Sequence, residues 1–357
     1  MNENEINDIR NINEFKTITF SNYSRSKVKI ELIKSFQEYN IEPACYWSIE
    51  LICAGHFNDL WYIIIYYITR YIHITNPKLI LYLCKRFEYF KNIVNNGYNN
   101  NNEIQLRNNN NIRKLFAEII CIICYSKKGH AFENYSIKTN NDFDITNITH
   151  RLTAPDIKFA DKVFKNSDCK EIFIAINEFI YNISDANKDN ISACYWLEWI
   201  LKFDIITKQK KINLNCARRT FAIVEDKYQM NYIWIIWEGL LIQSENNKNI
   251  NKIINSLLTL FCMKYKPTCN RQRKYILYAA ISFVTEDINF NNSLINNNLN
   301  SSIKNITNNI NILYKQVKSN EKSPNTDYLY NGLPENNVEK SIKKLETMNL
   351  ILDNSFD

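Results

Sequence analysis

The tetrapeptide Ala-Cys-Tyr-Trp occurs twice in this chain, at residues 44–47 and again at 193–196. The chain has only ten cysteines and six tryptophans, so such a repeat is not expected by chance. Each copy follows an amphipathic stretch and a short polar turn, and each precedes a long aromatic-rich segment, at 60–74 and at 228–242. This shared order predicts two related units, each organised around one copy of the tetrapeptide.

The scarcity of turn-forming residues restricts the fold class. Only five glycines and six prolines occur among 357 residues, whereas sandwiches, barrels and nucleotide-binding folds need these residues at turns and phosphate loops. The hydrophobic content of 45% is sufficient for a substantial core. Apolar residues at helical spacing, such as Leu79, Leu83 and Phe87, indicate the same class. We therefore predict an all-α protein.

The predicted organisation is two helical lobes joined by Asn-rich loops, with an internal duplication as its candidate origin. An Asn-dominated stretch at 95–111 is predicted as a loop within the first lobe. The boundaries are an N-terminal arm at 1–26, lobe 1 at 27–125, a linker at 126–153, lobe 2 at 154–285, and an Asn-rich tail at 286–357 that carries a short C-terminal helix at 338–352.

The cysteines and the N-terminus indicate the compartment. Most cysteines lie inside apolar runs, and residues 1–15 are polar and of mixed charge, unlike a signal peptide. Reduced thiols packed as small apolar side chains are therefore expected, in an intracellular, reducing environment. The most apolar segment, 60–69, has ten residues, whereas a membrane span needs about twenty. No membrane association is predicted.

Catalytic signatures are absent from the sequence. It contains no GxxxxGK[ST], GxGxxG, HExxH, GxSxG or kinase motif, so ATPases, nucleotide-dependent dehydrogenases and the common hydrolases are not expected. Glu50 and Glu198 follow the two motif copies beside tryptophans, which is one arrangement that raises a carboxyl pKa. We interpret them instead as capping residues or as partners of an arginine such as Arg218. The sequence thus predicts a non-enzymatic protein without a cofactor.

Positive charge is concentrated between residues 205 and 280. Thirteen lysines and arginines lie there against four acidic residues, an excess larger than the +7 of the whole chain. Such a region can contact the phosphates of a nucleic acid, or it can be a solvated face whose charges are spread around the helices. The residues that we predict as nucleic-acid contacts are Arg218, Arg219, Arg271, Arg273 and Lys274.

Zinc binding is an alternative for four residues. Cys121 and Cys124 have the CxxC spacing of zinc sites, and Cys53 with His56 supplies a second pair three residues apart. Together they would form a Cys3His site if their helices met. Because Cys121 and Cys124 lie within a run of isoleucines, buried packing explains them without a metal. We therefore predict no metal and keep a zinc-stabilised or zinc-dependent protein as an alternative.

Five segments of the chain are distinctive in composition: Ala-Cys-Tyr-Trp-Leu-Glu-Trp at 193–199, Ala-Arg-Arg-Thr-Phe at 217–221, Ile-Trp-Ile-Ile-Trp-Glu at 233–238, Arg-Lys-Tyr-Ile-Leu-Tyr-Ala-Ala-Ile at 273–281 and Asn-Pro-Lys-Leu at 76–79. In these segments the chain resembles uncharacterised helical proteins of large nucleocytoplasmic DNA viruses. The resemblance implies no known activity and no catalytic residue. It implies a setting, which is the viral factory in the host cytoplasm or the virion.

The function predicted from these observations is that of a viral scaffold or adaptor. Its basic region would contact nucleic acid or an acidic partner, and a viral or host protein would be a further partner. The first alternative is a virion structural protein that binds only other proteins through its aromatic faces. The zinc-dependent or zinc-stabilised protein is the second.

Overall fold

Helices form the regular secondary structure of this protein. The computed structural model describes residues 4–98, 103–138, 142–144, 148–212, 214–322 and 342, and in those residues the β structure is limited to two isolated bridges. The predicted all-α class is therefore confirmed. No helix in the described ranges has the length and apolar character needed to cross a membrane.

Ten helices of the described residues fall into two halves. The first half contains α1 (Arg25–Gln37), α2 (Ile41–Cys53), α3 (Phe57–Tyr67), α4 (Pro77–Asn95) and α5 (Asn110–Tyr125). The second half contains α6 (Phe173–Ile183), α7 (Asn190–Gln209), α8 (Ile233–Ser244), α9 (Lys248–Phe261) and α10 (Lys274–Thr285). The tail adds α11 (Asn300–Asn309) and α12 (Asn311–Lys318). A π-helical turn, Ile68–Ile72, extends α3, and a four-residue turn, Cys269–Gln272, precedes α10.

The two copies of Ala-Cys-Tyr-Trp lie in similar surroundings. One lies near the start of α2 and the other near the start of α7, and each of these helices packs against the helix before it. The alanine and cysteine of both copies are buried. The tryptophans differ, since Trp196 is buried whereas Trp47 is half-buried. Both copies thus lie on a helix that packs against the preceding helix, and the internal duplication stays a prediction.

The two halves share one hydrophobic core. Helix α4 of the first half packs along α9 of the second, and α10 packs against the π-helical turn that ends α3. The buried apolar residues of both halves form a single continuous cluster. Burial of apolar surface is the main driving force of folding, so the two halves stabilise each other.

Asparagines of the Asn-rich stretches begin several helices. The side chain of Asn109 accepts a hydrogen bond from the N–H of Ile112 at the start of α5, and Asn247 does the same for Ile250 at the start of α9. Asp189 caps α7 in the same way. Short polar side chains at this position satisfy backbone N–H groups that have no partner within the helix. The stretch predicted as a loop therefore supplies part of the helix-starting signal.

Both ends of the described chain cover the first half. In the arm, Arg10 pairs with Asp8 at 2.6 Å, and its guanidinium lies 4.7 and 4.8 Å from the ring centroids of Phe15 and Phe20. In the tail, α11 packs on α5 and α12 packs on α2. Of the predicted helix at 338–352, all but Ile342 lies outside the described residues.

The segment predicted as a linker contacts both halves. On one side, the N–H of Gly129 donates to the carbonyl of Tyr71 at 2.8 Å, and that of Phe132 donates to Arg70 at 3.1 Å. On the other side, the ring of Phe132 meets Tyr278 of α10 edge-on, with centroids 5.6 Å apart. We call residues 126–138 the connector, because they fasten the end of α3 to α10.

Replacing Gly55 by alanine is expected to cost about 1–2 kcal/mol of unfolding free energy. Gly55 follows α2 with φ of +77°, which L-residues rarely adopt, although an added Cβ would meet no atom closer than 3.6 Å. Gly97 is the control, since its backbone φ is ordinary and no atom would lie within 4 Å of its Cβ. Urea denaturation measures both variants. Equal stability of Gly55→Ala and Gly97→Ala would show that the turn does not depend on a left-handed residue.

Candidate nucleic-acid interface

The five predicted nucleic-acid contacts differ in exposure. Arg218 and Arg271 are exposed, Lys274 is largely covered, and Arg273 and Arg219 are buried. The guanidinium of Arg218 pairs with Asp226 at 2.9 Å, and both side chains are more than half exposed. Only Arg218 and Arg271 of the five therefore present charge on the surface.

Arg219 is a structural residue of the second half. Its side chain is fully buried, and it donates hydrogen bonds to Asp168 at 2.7 Å, to Glu238 at 2.9 Å and to the carbonyl of Val163 at 2.8 Å. Burial opposes the charge, but the two carboxylates outweigh it and raise the pKa of Arg219 above its ordinary value. The guanidinium is enclosed by these partners, so it cannot reach a phosphate in this fold.

Arg273 and Lys274 are also engaged within the chain. Arg273 donates to the carbonyl of Phe261, and burial lowers the pKa of its guanidinium. The ammonium of Lys274 pairs with Glu198 at 2.5 Å, and the two side chains are 17% and 12% exposed. Lys274 thus lies against the neighbouring helix and does not project into solvent.

The two carboxylates considered for acid–base chemistry hold elements of the fold together. Glu198 accepts a hydrogen bond from the hydroxyl of Tyr278 at 2.6 Å in addition to the ion pair with Lys274. Its cationic partner is therefore Lys274 and not Arg218. Glu50 is fully buried and accepts from the hydroxyl of Thr19 at 2.9 Å and from the N–H of Ser21 at 2.9 Å. These contacts join α7 to α10 and α2 to the N-terminal arm.

Cationic side chains from both halves line a groove between them. The groove has a volume of about 700 Å³ and runs between the start of α1, the outer face of α3 and the segment that joins α9 to α10. Among the described residues, Asp59 contributes the one carboxylate that lines it. The cationic side chains that line it are Arg25, Lys29, Lys264, Lys266 and Arg273. We call this site the basic groove.

Contacts with α3 fix the first-half wall of the basic groove. The guanidinium of Arg25 donates to Asp59 at 2.8 Å, and both side chains are about one-third exposed. The ammonium of Lys29 lies 4.7 Å from the ring centroid of Tyr62, and burial lowers the pKa of Lys29. The hydroxyl of Tyr62 in turn donates to the carbonyl of Gln272 at 3.1 Å. The wall is therefore tied to the second half.

Three cationic side chains in or beside the basic groove have no carboxylate partner among the described residues, so they are available to bind an anion. Lys266 and Arg271 are exposed, and neither has an ion-pair partner among the residues that the structure describes. Lys29 is half-buried and has an aromatic face and no carboxylate within ion-pair distance in the described ranges. Sequence analysis missed Arg25 and Lys29, because they lie some 180 residues or more before the basic region that they face.

The four residues of the zinc alternative do not converge. Cys121 and Cys124 neighbour Cys45, while the ring of His56 hydrogen-bonds the carbonyl of Ile18 at 2.9 Å. Burial raises the pKa of Cys124 to about 12, which keeps its thiol protonated. Among the described residues, no three His, Cys, Asp or Glu side chains form a group able to hold a metal ion.

The chain was compared with protein-family models, with curated proteins and with solved structures, and none of them matches it. The geometry and charge of the basic groove are therefore the observations from which a function is inferred.

Proposed function

We propose that this protein is a non-enzymatic helical scaffold or adaptor that binds a single strand of nucleic acid in the basic groove. One observation carries the proposal: five cationic side chains from both halves line one open groove, and Asp59 supplies the one carboxylate that the described residues place in it. Cations placed along a phosphate backbone displace its condensed counterions, which is the main source of affinity for nucleic acid.

An aromatic side chain beside the cations favours a single strand over a duplex. Single-stranded nucleic acid follows positively charged channels beside aromatic side chains, and the wall here carries Tyr62, whose ring lies 6.2 Å from that of Tyr66 one turn further along α3. The ammonium of Lys29 lies 4.7 Å from the ring centroid of Tyr62 and 5.5 Å from that of Tyr66. The resemblance to proteins of large DNA viruses supports a setting in a viral factory or a virion, with viral or host proteins as further partners.

Neutralising the three available cations tests the proposal. In the variant Lys29→Gln, Lys266→Gln, Arg271→Gln, the affinity for single-stranded nucleic acid is expected to fall about tenfold or more, because each lost cation removes one phosphate contact. Fluorescence anisotropy with a labelled oligothymidine of about 20 nucleotides measures this at fixed, near-physiological salt.

The matched control removes charge elsewhere on the second half. Lys248 and Lys252 are exposed on the first turns of α9, about 20 and 14 Å along the helix from its groove-side end, and their replacement by Gln should leave the affinity unchanged. Absence of binding by the wild-type protein would overturn the proposal and favour a structural protein that binds only other proteins. Equal losses in both variants would show that the charge acts without a defined site.

A further inference from the structure

A second cavity lies beside the basic groove and has a different character. Its volume is about 450 Å³, within the range of small-molecule sites. The inner wall is aromatic, with Trp61 of α3 meeting Phe87 and Phe90 of α4 at centroid distances of 5.1 and 5.6 Å. The opposite wall comes from the second half and includes Thr259, Cys262 and Met263 at the end of α9.

Two polar groups of this cavity have no hydrogen-bond acceptor or carboxylate partner among the described residues. The indole N–H of Trp61 is buried and has no hydrogen-bond acceptor among the described residues, although buried indoles normally have one. At the opening, Lys91 is exposed, has no carboxylate partner in the described ranges, and lies 4.8 Å from the ring centroid of Phe87. A ligand with an apolar body and a negative charge complements the aromatic wall and Lys91.

We propose that this cavity binds a free fatty acid of medium chain length. The alkyl chain would lie against the aromatic wall between α3, α4 and α9, and the carboxylate would be the counter-charge for Lys91. Because both halves line the cavity, the bound molecule would also strengthen the contact between α4 and α9.

Calorimetric titration tests the proposal, with dodecanoate below its critical micelle concentration and dodecanol below its solubility limit. Dodecanoate is expected to bind with one molecule per chain. Thr259→Phe and Val94→Phe would each fill the cavity from one of its two walls. Either variant should reduce the affinity for dodecanoate at least about tenfold, because the alkyl chain no longer fits. Both side chains are half-buried at the cavity surface, so the variants are expected to fold, which circular dichroism and thermal melting verify.

The charge is tested separately from the cavity. Lys91→Gln should weaken dodecanoate about three- to fivefold and leave dodecanol unchanged, because only the former carries a carboxylate. Lys85→Gln, an exposed lysine on the same helix outside the cavity, is the matched control and should alter neither. The proposal is overturned if dodecanoate shows no saturable binding, or if both filled variants fold and bind it as the wild type does. None of these four positions lines the basic groove, so the outcome does not depend on nucleic-acid binding.

Discussion

Replacing Arg219 by alanine is expected to lower the free energy of unfolding by about 3–5 kcal/mol, because the fully buried carboxylate of Asp168 loses its cation. Glu238 is partly exposed and keeps its ion pair with Lys165 at 3.4 Å. The same replacement at the adjacent Arg218 is expected to cost less than about 1 kcal/mol, because its ion pair with Asp226 is exposed to solvent. The two variants delete the same side chain at neighbouring positions, so each is the control for the other.

The large effect arises from the loop residues that Arg219 holds. The carboxylate of Asp168 accepts hydrogen bonds from the guanidinium of Arg219 and from the N–H groups of Lys165 and Ala217. It therefore joins the loop that contains Lys165 to the loop that contains Ala217. Burial by itself opposes ionisation of Asp168, but the hydrogen bonds from Arg219 and from these N–H groups outweigh it and lower the pKa of that carboxyl. Without Arg219, the buried negative charge would be left with backbone donors alone.

Urea denaturation followed by far-ultraviolet circular dichroism measures both arginine variants. The interpretation of Arg219 as a structural residue would be wrong if Arg219→Ala were as stable as Arg218→Ala. Loss of nucleic-acid affinity in a fully stable Arg219→Ala protein would restore Arg219 to the surface contacts that the sequence predicts.

The second large effect is a loss of stability in mild acid that depends on His73. This side chain is fully buried between the end of α3 and the connector, where its Nε2–H donates to the carbonyl of His130 at 2.7 Å. Its ring also stacks on Phe132, with centroids 4.3 Å apart. Burial lowers the pKa of His73 from 6.5 to about 4, and the carbonyl opposes this only in part.

The direction of the pH effect follows from that lowered pKa. Between about pH 6.5 and pH 4 the unfolded chain binds a proton at His73 that the folded chain does not. The contribution of neutral His73 is therefore fully present above pH 6.5 and is lost as the pH falls towards 4. At about pH 5 the loss should be about 2 kcal/mol relative to pH 7.5.

Comparison with His73→Gln isolates this contribution. Glutamine keeps a side-chain N–H donor but does not titrate, so the variant should lose about 2 kcal/mol less than the wild type between about pH 7.5 and pH 5, whatever its stability at neutral pH. The measurement is the urea midpoint of each protein at the two pH values. The half-buried His56, whose pKa burial also lowers, is present in both proteins and cancels from the difference. Parallel pH profiles would show that His73 is not the titrating group.

The fold class was predictable because it depends on local signals. Helical spacing of apolar residues and the scarcity of glycine indicate helices, and the start of α4 at Pro77 follows from the preference of proline for the first turn. The repeated tetrapeptide correctly indicated two helices with similar neighbours. These inferences need only residues that are close together in the sequence.

The candidate site was only partly predictable, because it depends on how distant segments meet. The excess of positive charge in 205–280 indicated the half that contributes Lys264, Lys266 and Arg273 to the basic groove, but Arg25 and Lys29 face it only after α1 packs beside α3. The inward turn of Arg219 had no local signal either. Leu214 and Cys216 are buried and Asn215 is exposed, so continued alternation of buried and exposed residues would bury Arg218. The alternation is interrupted at Ala217, and Arg219 is the buried arginine instead.

The salt dependence of oligothymidine binding is the most direct test of the basic groove. For single strands, the logarithm of the affinity falls with the logarithm of the salt concentration by about 0.7 for each phosphate contacted. A groove in which Lys29, Lys266 and Arg271 meet phosphates predicts a slope that is smaller by about 2 in the triple variant and unchanged in the Lys248 and Lys252 control. Equal slopes in the wild-type protein and the triple variant would contradict phosphate binding in the groove.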